Sequence, residues 1–248
     1  MEQRQTVDAF VRHLGETKGN PNLTVDRRPD EENRQSQDID AVAGPFAIEH
    51  TSIDSVANQR RADDWFVQVV DGLDSVIKDC VDCRFTIAFE YDAITRGMDW
   101  NCIRADLRRW ILDKASSLSH GSHWIVLQTS TPVDPPIRML VQKGQSPHIA
   151  GFARLVPSDN TLATRLKTLL DRKASKLAKY QSPDVSTILL VENDDVALMN
   201  QFVLLTAIRQ AYPHGLPQGV DEVWFADTCI PEEPHFYDFT VEFASAPL

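Results

Sequence analysis

The 248-residue chain contains no run of the ~20 consecutive apolar residues that crossing a bilayer requires. Its opening, MEQRQTVDAF, is polar and lacks the apolar segment of a secretory signal, so the expected location is cytoplasmic, with no membrane partner. Cysteine is scarce. Cys80, Cys83, Cys102 and Cys229 are expected to be reduced thiols. Cys80-Val81-Asp82-Cys83 is a lone pair that follows a helix and precedes a strand, which is not the helix-start setting of a redox motif. A zinc site would have to recruit His120 and His123 as well. Positive charge is also short: 25 Lys and Arg face 36 Asp and Glu, for a net charge of −11. That excludes a broad basic footprint for phosphate backbones but leaves room for a local basic groove. There is no Gly-rich phosphate loop, no GxSxG and no HExxH, so triad and zincin chemistries have no local support.

What is present is ordinary globular material, with 42% hydrophobic and 25% charged residues. Without repeats, low-complexity tracts or a long linker, one α/β domain over 1–248 is expected, carrying a β-rich insertion at about 119–157. Helices are predicted over 6–17, 56–78, 99–117, 161–181 and 196–212 from apolar residues at helical spacing. Leu23-Thr24-Val25 reads as a short strand and Arg27–Gln37 as a charged loop. Further strands are predicted at 84–91, in three short pieces between 123 and 156, at 186–192, at 221–227 and along the aromatic tail. The STILLVE run has the continuous apolar texture of a strand buried on both faces. The helix over 161–181 is the most basic segment, with Arg165, Lys167, Arg172, Lys173, Lys176 and Lys179.

The chain reads as organised around DIDAVAGPFAIEHTSID, residues 38–54. Gly44-Pro45 predicts a tight turn between a strand over Asp38–Val42 and one over Phe46–Thr51. Alternation puts Asp38 with Asp40 and Glu49 with Thr51, and sends His50 to the opposite face, where it is expected to be a packed or surface histidine rather than a base. Carboxylates gathered at one turn repel unless a cation lies between them. A hard divalent ion is one solution. Ion pairs to Arg27, Arg28 and Arg34 are another. Glu192-Asn193-Asp194-Asp195 ends a buried strand, where open α/β sheets place ligands; capping of the next helix by Asn193 or Asp194 is the competing role.

Asp40, eight residues, then Glu49-His50-Thr51 resembles the motif of the PD-(D/E)xK phosphodiesterases, the restriction-endonuclease-like fold. The longer text RRPDEENRQSQDIDAVAGPFAIEHTSID, with DRKASKLAKYQ, LLVENDDVALMN and VDEVWFADT, is also similar to a family of uncharacterised bacterial proteins. The first resemblance implies a mixed central sheet flanked by helices, and a magnesium- or manganese-dependent nuclease. It implies metal ligands Asp40 and Glu49, with Asp38 as a third, and a catalytic set of Asp40, Glu49 and Thr51. Thr51 stands where that motif carries lysine; it can donate one hydrogen bond but brings no charge. A cation must then come from Arg60, Arg61, Lys173 or Lys176, which are also the expected phosphate contacts. Glu32, Arg34 and Gln59 are accessory candidates. The expected partner is nucleic acid. The alternative is a binding or scaffold protein whose carboxylate hairpin is a structural ion-pair network.

Overall fold

Val7, Phe10, Val11 and Leu14 recur at the spacing of one helix face, and all four are buried. They belong to α1 (Gln3–Thr17) in a computed structural model that describes residues 3–32, 38–145, 149–157, 159–195 and 198–244. The chain is mixed α/β, with two mixed sheets flanked by helices. It divides into two units, Met1–Ala57 with Asp159–Leu248, and Asn58–Ser158. The strands expected as a β-rich insertion lie in the second unit, together with three helices and another strand.

In the first unit α1 is followed by α2 (Pro29–Glu32), β1 (Ala41–Ala43) and β2 (Phe46–Ser52). The expected strand at Leu23–Val25 does not form; the nearest pairing is a single bridge between Arg27 and Val42. The first strand of the hairpin is shorter than its alternation suggests. Asp38 Oδ1 accepts the Ile39 N–H at 2.8 Å and Asp40 Oδ2 accepts the His50 N–H at 2.6 Å. These side-chain bonds stand where ladder bonds would otherwise form, so pairing starts only at Ala41.

The second unit runs α3 (Gln59–Val70), α4 (Leu73–Cys80), β3 (Phe85–Phe89), α5 (Trp100–Lys114), β4 (Gly121–Val126), β5 (Arg138–Lys143) and β6 (Ala150–Arg154). The single helix expected over 56–78 is two, because Gly72 turns the chain at φ 72°. Its sheet has the order β4-β5-β3-β6, and Phe85, Ile87, Phe89, Met139 and Val141 pack with Val69, Ile77, Ile103, Leu107 and Ile111 of the helices.

The chain then returns to the first unit with α6 (Leu162–Leu177), β7 (Ser186–Asn193), α7 (Gln201–Ala211), β8 (Glu222–Asp227), β9 (His235–Asp238) and α8 (Val241–Ala244). The sheet order is β1-β2-β7-β8-β9, with β2, β7 and β8 parallel and an antiparallel strand at each edge. β7 is central and buried on both faces, as its apolar run predicts. One face packs on α1 through Ile48, Ile188, Leu190 and Trp224. The other packs on α6 and α7 through Ala47, Leu189, Val191, Leu166, Leu170 and Leu204. α7 begins later than expected, at a cap made by Asn200, whose side chain accepts the Phe202 and Val203 N–H groups. Asn193 does not cap it. Its amide donates to the Ile53 carbonyl at 2.6 Å and to Ser55 Oγ at 3.3 Å, tying the ends of β2 and β7 together.

Candidate functional site

β2 alternates between the two layers. Ala47 joins the core beneath α6, so Glu49 and Thr51 share that side, while Ile48 and His50 face α1. Glu49 is completely buried. A bare carboxylate there would be prohibitive, and α6 supplies the compensation. Lys173 and Lys176 both donate to Glu49 Oε1, Lys176 at 2.8 Å. They stand three apart, on one face of the helix, and Lys176 also donates to the Asp38 carbonyl at 2.8 Å. Glu49 Oε2 is buried and has no hydrogen-bond partner among the described residues. One oxygen is thus doubly satisfied and the other is not.

Asp40 lies beside this pair and is itself buried. Oδ1 accepts from the Gln3 side-chain amide at 2.6 Å, and Oδ2 accepts from the His50 backbone. Burial first, and the neighbouring Glu49 charge second, push the Asp40 carboxyl above its usual range; the His50 N–H and Lys173 oppose this without cancelling it. Asp38 is half-buried, and its Oδ1 accepts from Tyr180 at 2.9 Å. Burial and that bond push the Tyr180 phenol up to about 12. Thr51 is buried in β2 opposite Val191 of β7.

On the far face His50 Nε2 meets Glu192 Oε2 at 2.7 Å, while Thr6 and Thr228 donate to Glu192 Oε1 at 3.0 and 2.8 Å. Burial alone would raise the Glu192 carboxyl, but these hydrogen bonds and the His50 charge outweigh it and hold it below its usual value. Side chains from α1, β2, β7 and the residue after β8 converge here, so His50 is buried and packed, on the face opposite Glu49 that its alternation predicts.

The remaining candidates are dispersed. Glu32 pairs with Arg27 at 2.8 Å, and Arg28 with Asp8 at 2.6 Å. Arg27 and Arg28 therefore form their ion pairs away from the hairpin, and the charge of Glu49 is met by the two lysines of α6. Gln59, Arg60 and Arg61 lie on α3 of the second unit, with both arginines exposed. Arg34 lies outside the described residues. Among the described residues no group of three or more His, Cys, Asp or Glu side chains is arranged to hold a metal ion, and the four cysteines are free thiols. Sequence reading missed Gln3, Tyr180 and the partners of Glu192. Gln3 is 37 residues from Asp40, and nothing local marks it. The only available signal was its place one turn before Thr6 and Val7 on the buried face of α1. Comparison of the chain with protein-family models, curated proteins and solved structures finds no match.

Proposed function

We propose that the first unit is a metal-dependent phosphodiesterase of restriction-endonuclease-like type acting on nucleic acid, with Asp40 and Glu49 as its acidic pair and α6 supplying the missing lysine. The observation that carries this reading is the asymmetry of Glu49, with two ammonium groups on one oxygen and none on the other. An orphaned, fully buried carboxylate oxygen next to a second buried carboxylate is a donor set suited to a hard cation, whose remaining ligands would be waters and phosphate. Asp40 and Glu49 would hold it, and when bound it would acidify a water and neutralise charge on the phosphodiester. Gln3 and the His50 N–H fix both oxygens of Asp40, so the carboxylate is preoriented. Lys173 and Lys176 place positive charge where Thr51 cannot, oriented by Glu49 toward any anion that reaches the pair.

The second reading is a scaffold in which two lysines and two carboxylates form a structural network. The pairing of both lysines to Glu49, and the want of a third metal-ligating side chain among the described residues, favour it. Cleavage of labelled single- and double-stranded DNA and RNA, in magnesium, manganese or EDTA, separates the two. The phosphodiesterase reading expects cleavage that needs metal, is lost in Asp40→Asn, and falls at least about a hundredfold in Lys173→Ala/Lys176→Ala. Undiminished activity in Asp40→Asn, or no cleavage of any substrate by folded protein, sinks it.

A further inference from the structure

The early turns of α6 border a cleft of about 620 Å3 whose wall includes Asn160, Thr164, Thr168, Leu169 and Arg172. No acidic side chain lines it, in a protein of net charge −11. Thr164, Thr168, Arg172 and Lys176 follow one another at four-residue spacing, a single row along the helix, with Asn160 just ahead of it. Lys176, the last of the row, is the residue that reaches Glu49. The others differ in what they have left to offer. Arg165 is spent on Asp159 and on the carbonyls of Asp54 and Ser55, and Thr168 donates back to the Thr164 carbonyl at 3.0 Å. Among the described residues the Arg172 guanidinium has no carboxylate partner, and the side chains of Thr164 and Asn160 make no hydrogen bond.

We propose that this cleft holds the sugar–phosphate backbone of a nucleic-acid strand, with Arg172 as its ionic contact and Thr164 and Asn160 as neutral donors. The proposal rests on the phosphodiesterase reading, because the row ends at Glu49. A strand fits better than a small phosphate ester. Thr164 and Arg172 are separated by about 12 Å along the helix axis, more than one phosphate group can bridge. Unpaired donors with a single cation also fit a backbone, whose charge repeats while the sequence varies. With so few cations, affinity should depend only shallowly on salt, each ionic contact to a single strand contributing about 0.7 to the slope.

The test is fluorescence anisotropy of labelled single-stranded DNA and RNA with the full-length protein, in EDTA and in calcium, across a salt series. Arg172→Ala should weaken binding about fivefold and lower the salt slope by about 0.7. Thr164→Val, which keeps shape and removes a donor, should weaken binding without changing the slope. Lys167→Ala removes the same charge from a residue of α6 outside the cleft lining, where it pairs with Asp171, and should alter neither. Wild-type binding that is indifferent to Arg172 and Thr164 overturns the cleft and leaves the phosphodiesterase reading standing. An equal loss in Lys167→Ala also overturns the cleft, since the charge would then act at long range. Absence of wild-type binding to either polymer overturns both.

Discussion

Glu192 and Asp40 are buried carboxylates whose environments push them in opposite directions, and the consequence is measurable one residue at a time. Glu192 sits below its usual 4.5, so its ionised form favours the fold; that contribution is complete above 4.5 and is lost as pH falls through the lower folded value. Asp40 sits above its usual 3.8, so ionising it works against the fold. The penalty is absent below 3.8 and develops as pH rises through the higher folded value. Urea melts from pH 7 downward should therefore find Glu192→Gln less stable than wild type by about 1–3 kcal/mol at neutral pH, for loss of charged hydrogen bonds. Asp40→Asn should be more stable by on the order of 1 kcal/mol, as expected where a functional group is held at a cost. Both differences should shrink toward zero in acid. A destabilised Asp40→Asn at pH 7 would mean that its bonds to Gln3 and His50 outweigh its burial, and the scaffold reading would gain.

At the scale of elements, α6 must be held in one register for Lys173 and Lys176 to meet Glu49, and the approach to β8 helps to hold it. Gly219 has φ +88, and a Cβ there would lie 2.7 Å from Ala178 Cβ and 2.9 Å from its Cα, just beyond the end of α6. Gly219→Ala should cost about 2–3 kcal/mol from strain and overpacking together, read as a lowered thermal midpoint. An unchanged midpoint would show that the helix end yields freely. None of this was visible in the sequence, although α6 itself was. Leu166, Leu170 and Leu177 mark its buried face, just as STILLVE marks β7 and Val7-x-x-Phe10 marks α1. Periodicity reports what faces a core, so it recovered the elements. It does not report which elements face each other, so the neutralising partner of Glu49 stayed open among arginines and lysines until α6 was seen to cross β2. Short-range competition was equally silent: Asp38 and Asp40 divert bonds from β1, Gly72 divides a continuous apolar stripe, and Asn200 caps α7 while Asn193 ties strands.

For the molecule as a whole, the second unit enters between β2 and α6, which are adjacent layers of the first unit. Arg165 explains how such an insertion is tolerated. Its guanidinium donates to the Asp54 and Ser55 carbonyls where the chain leaves the first unit, and to Asp159 where it returns, all within 3.0 Å. Exit and re-entry are therefore at one place, the arrangement in which an inserted segment adds little strain to its host. Each unit also has its own buried cluster, one built on Phe85, Ile87 and Phe89, the others on the two faces of β7. Replacing residues 58–158 by a short Gly/Ser linker should leave the first unit folded, with a single cooperative melt, and adding Arg165→Ala to that protein should lower the melt by releasing the clamp. A shortened protein without a cooperative transition would show that the clusters are not independent. Under the phosphodiesterase reading Asp40, Glu49, Lys173, Lys176 and Arg172 all belong to the first unit, so the shortened protein should retain metal-dependent cleavage while its choice among DNA, RNA, single and double strands changes. Loss of cleavage with the fold intact would instead assign part of the chemistry to the second unit, where Arg60 and Arg61 are the first residues to replace.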